Sequence, residues 1–281
     1  MSLKVALIYD FDKTLSTTDM QDYGFIKNLG ITPKEFWENT TNLVNKLECD
    51  KVLAYMYMMV KSCKDLNIPL TKEYLKECGK NIILHNGVDT WFKRINTYAI
   101  SLGIEIEHYI VSSGITEIIL GTDIEKYFKN IFGCSFIYDD NGIATWPKMA
   151  INYTQKTQFI VRIAKGVFDV TDDDSVNKKQ SKLYIPYNNM IYIGDGLTDI
   201  PCMNMVKSKG GYSIALYNEN TRKKVLPLVK DNRVNVACLN DYSENSKLEE
   251  SVKLMLSNMI LKYNLEQKEK SLLDLIFNEE N

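Results

Sequence analysis

An apolar run, Val5 to Ile8, leads directly into Tyr9-Asp10-Phe11-Asp12-Lys13-Thr14-Leu15. A short apolar run of this kind reads as a buried strand. Two carboxylates, with one residue between them, therefore fall at its carboxyl end. They lie too close for both to be idle surface charges on a buried strand, because a charge taken from water needs a partner. In open α/β sheets the carboxyl ends of strands are where ligands bind. The competing reading of this stretch alone is a polar strand-to-loop corner with two solvated Asp.

The rest of the chain supplies the sheet such a strand needs. At 281 residues it suits one large domain, or a core with an insertion. After Leu15, Ser16-Thr17-Thr18-Asp19 offers helix N-caps, and the text is helical from there to about residue 84. Thr32-Pro33-Lys34-Glu35 reads as a capping box with Pro at the first helical position. Phe36, Leu43, Val44 and Leu47 follow at near-helical spacing, and Leu53, Met56, Met59, Val60 and Cys63 line another helix. The methionines read as packing between helices rather than as a substrate surface. Thr71 caps a short helix through Lys80. Asn86-Gly87 breaks the pattern. Val88, Phe92, Ile95, Ala99 and Leu102 then mark a helix that Gly103 ends, and Ile106 to Val111 reads as a second core strand. Residues 17–84 thus sit between two pieces of an α/β core, and we expect core residues 1–16 and 85–281 with a helical cap at 17–84.

Ile131 to Ile137 and Ile143 to Trp146 flank Asp139-Asp140-Asn141-Gly142, a hairpin signal. Thr154 to Lys165 is helical, with Gly166 as its stop. Residues 169–185 are polar; their acidic run lacks the Gly and distal Glu of a calcium loop and reads as solvated. Met190 to Ile193, Tyr212 to Leu216 and Val234 to Leu239 read as strands. The end, Leu248 to Phe277, is helical and mixed in charge. Alternating strands and helices imply a doubly wound parallel sheet with right-handed crossovers.

Composition narrows the partners. The net charge is −2, so nothing points to nucleic acid or to an acidic membrane surface. No apolar run approaches membrane-span length. Six scattered Cys, with no metal-ligand spacing, read as reduced thiols of a cytoplasmic protein. The strand starts within ten residues of the first Met, which leaves no room for a signal peptide. His85 and His108 are the only histidines, and both read as structural. With no thiolate cluster a zinc site has no support.

Three further segments join the first. They are Ile110-Val111-Ser112-Ser113-Gly114, Lys156 near a helix start, and Ile193-Gly194-Asp195-Gly196-Leu197-Thr198-Asp199. Their order and contexts resemble the four motifs of the haloacid dehalogenase (HAD) superfamily, and the cap placement with Gly-Asp-Gly-x-x-Asp resembles its phosphoserine-phosphatase-like branch. The likeness spans residues 5–216. It implies a Rossmann-like core, with Asp10 as nucleophile and Asp12 as general acid and base. It also implies a magnesium ion held by Asp10, Asp195 and the backbone carbonyl of Asp12. Asp199 would hold metal-bound water or Lys156. Ser112, through its hydroxyl, and Ser113 and Gly114, through amides at a helix start, would cradle phosphate. Lys148 competes with Lys156 for the third motif; we prefer Lys156 for its place in a helix shortly before the fourth motif's strand.

The chemistry asks for these residue types independently. Attack on a phosphomonoester needs a nucleophile, charge neutralisation and a proton for the leaving alkoxide. A carboxylate can form an aspartyl-phosphate and split hydrolysis into two easier steps. Two anions repel, and magnesium suits carboxylate and phosphate oxygens. The expected function is a magnesium-dependent phosphomonoester hydrolase acting on a small phosphorylated metabolite. A phosphotransferase or phosphonate-cleaving enzyme on the same core is the alternative, given the Lys-rich cap. A non-catalytic binding protein would show an eroded motif position, and none is eroded. The motifs leave the oligomeric state open. Residues 17–84 contain no Arg, the planar fork that matches a carboxylate. Asp19 stands nine positions after Asp10, where phosphoserine phosphatases hold the substrate amine with an acid. Lys46 or Lys51 could take a carboxylate less specifically, and Tyr23, Phe36, Trp37, Tyr55 and Tyr57 could line a pocket. Phosphoserine is therefore expected to be a poor substrate beside a phosphorylated amino alcohol or sugar.

Overall fold

A computed structural model describes residues 2–279. The Val5–Ile8 run lies in strand β1 (Leu3–Tyr9), buried at every position but Lys4. It is flanked on both sides by parallel strands, which is why it reads as continuous apolar sequence rather than as an alternation. Its neighbours are β2 (Ile104–Ile115) and β5 (Met190–Gly194). With β3 (Phe128–Tyr138), β4 (Ala144–Met149), β6 (Tyr212–Tyr217) and β7 (Val236–Leu239), the seven-stranded order is β4-β3-β2-β1-β5-β6-β7. The five pairings from β3 to β7 are parallel; β3 and β4 form the antiparallel hairpin read from Asp139 to Gly142. The Asp139 carboxylate accepts from the amides of Asn141 and Ile143, and Gly142 takes φ 76° to close the turn.

The chain builds outward from β1 first to one side and then to the other, so the strand order reverses at β1. The carboxyl ends of β1, β2 and β5 splay there into a crevice.

Between β1 and β2 run α1 (Phe25–Asn28), α2 (Pro33–Leu47), α3 (Lys51–Asp65) and α4 (Lys72–Gly79), followed by α5 (Val88–Ser101). Two of the expected caps form, whereas residues 16–19 cap no α-helix: a 3-10 turn, Met20–Asp22, follows them and Asp19 makes no capping hydrogen bond. Thr32 accepts from the Glu35 amide, with Pro33 at the first helical position, and Thr71 accepts from the Tyr74 amide. Residues 17–84 add no strand to the sheet. They leave and return through one seam, where Ser16 bridges Leu84 and the Thr17 amide donates to the Ile83 carbonyl.

Two helix faces differ from the expected stripes. On α3 the buried side is Val52, Tyr55, Met56, Met59 and Cys63, while Leu53 faces outward. On α2 only Phe36 and Thr40 are buried, and Leu47 is exposed. Each helix has few neighbours to cover it, so the apolar stripe is wider than the surface available to bury it. Met56 and Met59 are wholly buried, as packing residues.

The remaining helices are α6 (Thr116–Ile119), α7 (Gln155–Lys165), α8 (Asp173–Asn177), α9 (Ile200–Ser208), α10 (Arg222–Lys230) and α11 (Lys247–Glu279). The acidic run expected as a loop forms α8, because Asp172 caps it by accepting from the Ser175 amide. Strand β2 runs past its expected end at Val111. It bulges there and pairs again at Ile115 with Cys134, so the helix expected at Ser113 begins at Thr116.

Candidate active site

The strand ends bring the expected residues together. The Asp10 amide donates to the Ile193 carbonyl at 2.9 Å, tying the tip of β1 to the tip of β5. Asp195 follows β5 directly. Helix α7 lies beneath and sends Lys156, wholly buried, up to the carboxylates. Its ammonium donates to Asp10 Oδ1 at 2.9 Å and to Asp199 Oδ1 at 2.7 Å. Lys148 is on β4, against a separate cavity of about 270 Å³. Lys156 is thus the lysine that meets Asp10.

Asp199 is buried and fully engaged. Besides Lys156, its Oδ1 accepts from the Tyr192 hydroxyl at 2.7 Å, and its Oδ2 from the Gly196 amide at 3.0 Å. A Cβ on Gly194 would stand 2.6 Å from Asp199 Cγ, so glycine at that position lets the carboxylate tuck under β5. Carboxylate oxygens of Asp10, Asp195 and Asp199 all lie within 4.8 Å of one another. Thr14 donates to Asp195 at 3.4 Å.

Three carboxylates share one buried ammonium, and the charge does not balance. Burial pushes Asp10 up to about 6, with the Asp199 charge adding and Lys156 opposing. Burial, then the charges of Asp10 and Asp199, push Asp195 up to about 8. Burial alone would lower Lys156, but Asp10 and Asp199 hold it well above its ordinary value. This oxygen-only, electron-rich donor set lacks positive charge, and a hard divalent cation fits that deficit.

Asp12 lies at the cavity wall, where its Oδ1 accepts from the Met20 amide at 2.7 Å. Burial, then the charges of Asp19 and Asp10, hold its carboxyl well above the carboxylate range. These surroundings favour the protonated carboxyl of Asp12, the form a proton donor needs. Asp19 pairs with Lys13, Nζ to Oδ2 at 2.5 Å.

The bulge in β2 presents Ser112, Ser113 and Gly114 beside these groups. Ser112 Oγ accepts from the Gly114 amide at 3.0 Å, so that amide is already committed, while the Ser112 proton is left to donate. Ser113 Oγ has no partner among the described residues and borders the cavity. A Cβ on Gly114 would fall 2.0 Å from Met20 Cε and 2.9 Å from Asp12 Oδ2; only glycine admits that approach.

Above the carboxylates opens a cavity of about 890 Å³ between the sheet end and the 17–84 segment. No Arg borders it. Lys51 borders it and Lys46 does not; Trp37 and Tyr55 do, whereas Phe36 is core, Tyr57 is exposed and Tyr23 donates its hydroxyl to the Ile83 carbonyl. His85 sits against the Lys13 carbonyl and Asn240, and His108 is core, between the Tyr9 hydroxyl and Asn96.

Sequence reasoning missed Tyr192, which steadies Asp199, and the bond made by Tyr55, expected only as a pocket-lining residue, whose hydroxyl donates to the Ser113 carbonyl at 2.6 Å. It also missed the α10 side of the cavity, with Thr221 and Lys224. No local signal marks these residues, because each meets the site only through folding.

This arrangement is the fold of HAD hydrolases. A HAD family hydrolase of Salmonella enterica serovar Typhi matches 78% of the chain at 18% identity with a TM-score of 0.53; the chain spans 64% of that protein's length. A phosphoserine phosphatase, solved as a phospho-aspartyl intermediate analogue, matches 90% of the chain and 99% of its own at 17% identity, also with a TM-score of 0.53. In sequence, an uncharacterised protein of Borreliella burgdorferi is 25% identical over 277 residues, 87% of this chain and 93% of its own. No family model matches the chain. No described helix is long and apolar enough to cross a membrane.

Proposed function

We propose that this chain is a magnesium-dependent phosphomonoester hydrolase that works through an aspartyl-phosphate on Asp10. The observation that carries the reading is the buried Asp10–Lys156–Asp199 bridge, which opens beside Asp12 onto a cavity large enough for a small metabolite. The phospho-aspartyl analogue captured in a phosphoserine phosphatase of the same fold supports it. In this reading residues 1–16 and 85–281 are the core and 17–84 the cap that covers the substrate.

Lys156 holds the Asp10 carboxylate in place and offsets its charge. Asp10 attacks phosphorus, and Asp12 passes its proton to the leaving oxygen. Once ionised, Asp12 takes a proton from the water that hydrolyses the acyl-phosphate. The hydroxyls of Ser112 and Ser113 donate to phosphate oxygens. Asp10, Asp195 and the Asp12 carbonyl would hold magnesium, with Asp199 acting through Lys156. When bound, the ion would neutralise charge on the phosphoryl group.

The test is release of nitrophenol from an aryl phosphate by the purified chain. Turnover is expected with magnesium, none in excess chelator, and little with calcium, whose looser shell admits geometries unsuited to in-line attack. Full activity in chelator would remove the metal, and no turnover with any divalent ion would remove the hydrolase.

A further inference from the structure

Helix α11 carries an apolar seam that the described residues of the body leave exposed, save that Asn258 donates to the Tyr212 hydroxyl. Its first half packs down through Val252, Leu256 and Met259, and Arg94 anchors it by pairing with Glu249 at 2.8 Å. The last residue partly covered by the body is Tyr263; residues 264–276 are exposed throughout. The helix runs on to Glu279, so its last 16 residues project roughly 24 Å. Leu261, Leu265, Leu272 and Leu275 are each at least 49% exposed along it, and Leu254 continues their line on the outer side of the packed half.

The spacing of this line is regular. Leu254, Asn258, Leu261, Leu265, Lys268, Leu272 and Leu275 follow one another at alternating steps of four and three. That is the seam of a coiled coil, with Leu265 and Leu272 at a positions and Leu261 and Leu275 at d. Solitary amphipathic helices bury a broader stripe. The segment 261–276 carries three Lys and three acidic residues, so it has no basic excess to hold it on an anionic lipid surface.

We propose that this helix pairs antiparallel with the same helix of a second copy of the chain. The flanking charges select both orientation and register. Lys262 and Glu269 occupy e positions, and in an antiparallel pair e faces e. Setting Leu265 opposite Lys268 of the second copy, and Leu261 opposite its Leu272, places each Lys262 against the other chain's Glu269. A slip of one heptad in one direction sets Lys262 against Lys262; in the other it sets Glu269 against Glu269. A parallel pair would face Glu269 with Asn264 and Lys262 with Ser257, gaining nothing. Lys268 reaches past the seam, its stem on Leu265 and its ammonium in water. The pairing also centres beyond Tyr263, which keeps the two bodies apart.

The full chain is tested by sedimentation equilibrium, with turnover as a control, since none of these residues touches the cavity. A dimer is expected at micromolar concentration. Leu265→Glu should raise its dissociation constant ~100-fold or more, because two buried leucines are lost. Lys262→Glu and Glu269→Lys should each weaken it about tenfold, and the double variant Lys262→Glu/Glu269→Lys should restore it. Turnover per chain and helical content should stay unchanged in all four. A monomer at 100-fold higher concentration, including one that binds lipid vesicles, overturns the proposal. So does a dimer indifferent to Leu265→Glu, and a double variant no tighter than the singles overturns the antiparallel register.

Discussion

Asp10 and Asp12 are two residues apart and chemically alike, but the fold separates their protons. Asp10 shares its charge with Lys156, whereas Asp12 has no such bond to an ammonium and its carboxyl is held well above the carboxylate range by burial and by Asp19 and Asp10. Their substitution should therefore differ. Asp10→Asn removes the nucleophile and should abolish turnover, while Asp12→Asn should leave a residue of activity, down ~10²–10⁴-fold. Single-turnover kinetics on the two variants decides; Asp10→Asn within tenfold of the parent would take the nucleophile role from Asp10. Tyr192→Phe tests positioning one contact further out. It removes one of two donors to Asp199 Oδ1, so Lys156 should still bind there but less firmly, with kcat falling several-fold and KM holding.

Among the elements, α3 has an unusual duty. Tyr55 crosses from the 17–84 segment to the bulged end of β2 and donates to the Ser113 carbonyl, next to the proposed phosphate site. Tyr55→Phe leaves that carbonyl with the weaker Cys134 thiol as a donor and should cost about 1 kcal/mol of stability. Its sharper signature should be a several-fold rise in KM with kcat changed little, because the bond joins the two walls of the cavity. Equal loss in both parameters would place Tyr55 in the chemistry instead. The bulge itself matters here: it interrupts the β2–β3 pairing between Val111 and Ile115, and the Gly114 amide donates to Ser112 Oγ instead.

For the whole molecule, pH and metal are linked. The raised Asp195 stabilises the metal-free fold below its ordinary value of 3.8, and that contribution is lost as pH rises through about 8. His108, lowered to about 3 by burial, acts in the opposite sense, gaining stability as pH rises through its ordinary 6.5. The two trends overlap in a melting curve. The increment from magnesium isolates the first, because binding must displace the protons on Asp195 and Asp10. Calorimetric magnesium affinity should climb from pH 5.5 to about 8 and level off above it. An affinity independent of pH would mean that the ion is not held by these carboxylates. At the same scale, the cavity has Trp37, Tyr55 and acidic residues but no Arg. Phosphoserine should therefore give a lower kcat/KM than a phosphorylated amino alcohol or sugar, measured side by side; phosphoserine ranking first would mean that Lys51 or Lys224 serves the carboxylate well enough.

The strands, the helix caps and the order of the four motifs were legible in the sequence because each is local. A buried parallel strand needs an unbroken apolar run, a cap needs Thr or Asp at one position, and the hairpin needs Asp-Asp-Asn-Gly. Lys156 was legible only through its place in that order; what sets it in the candidate site is that α7 carries it, fully buried, between two carboxylates distant in sequence. Leu53 and Leu47 misled for the complementary reason, since periodicity marks a face but not whether anything lies against it. Tyr192, the Tyr55–Ser113 bond and the β2 bulge had no sequence signal at all. Their effects come from hydrogen bonds between elements far apart in the chain, and long-range closure of the sheet alone decides which hydroxyl meets which carboxylate or carbonyl.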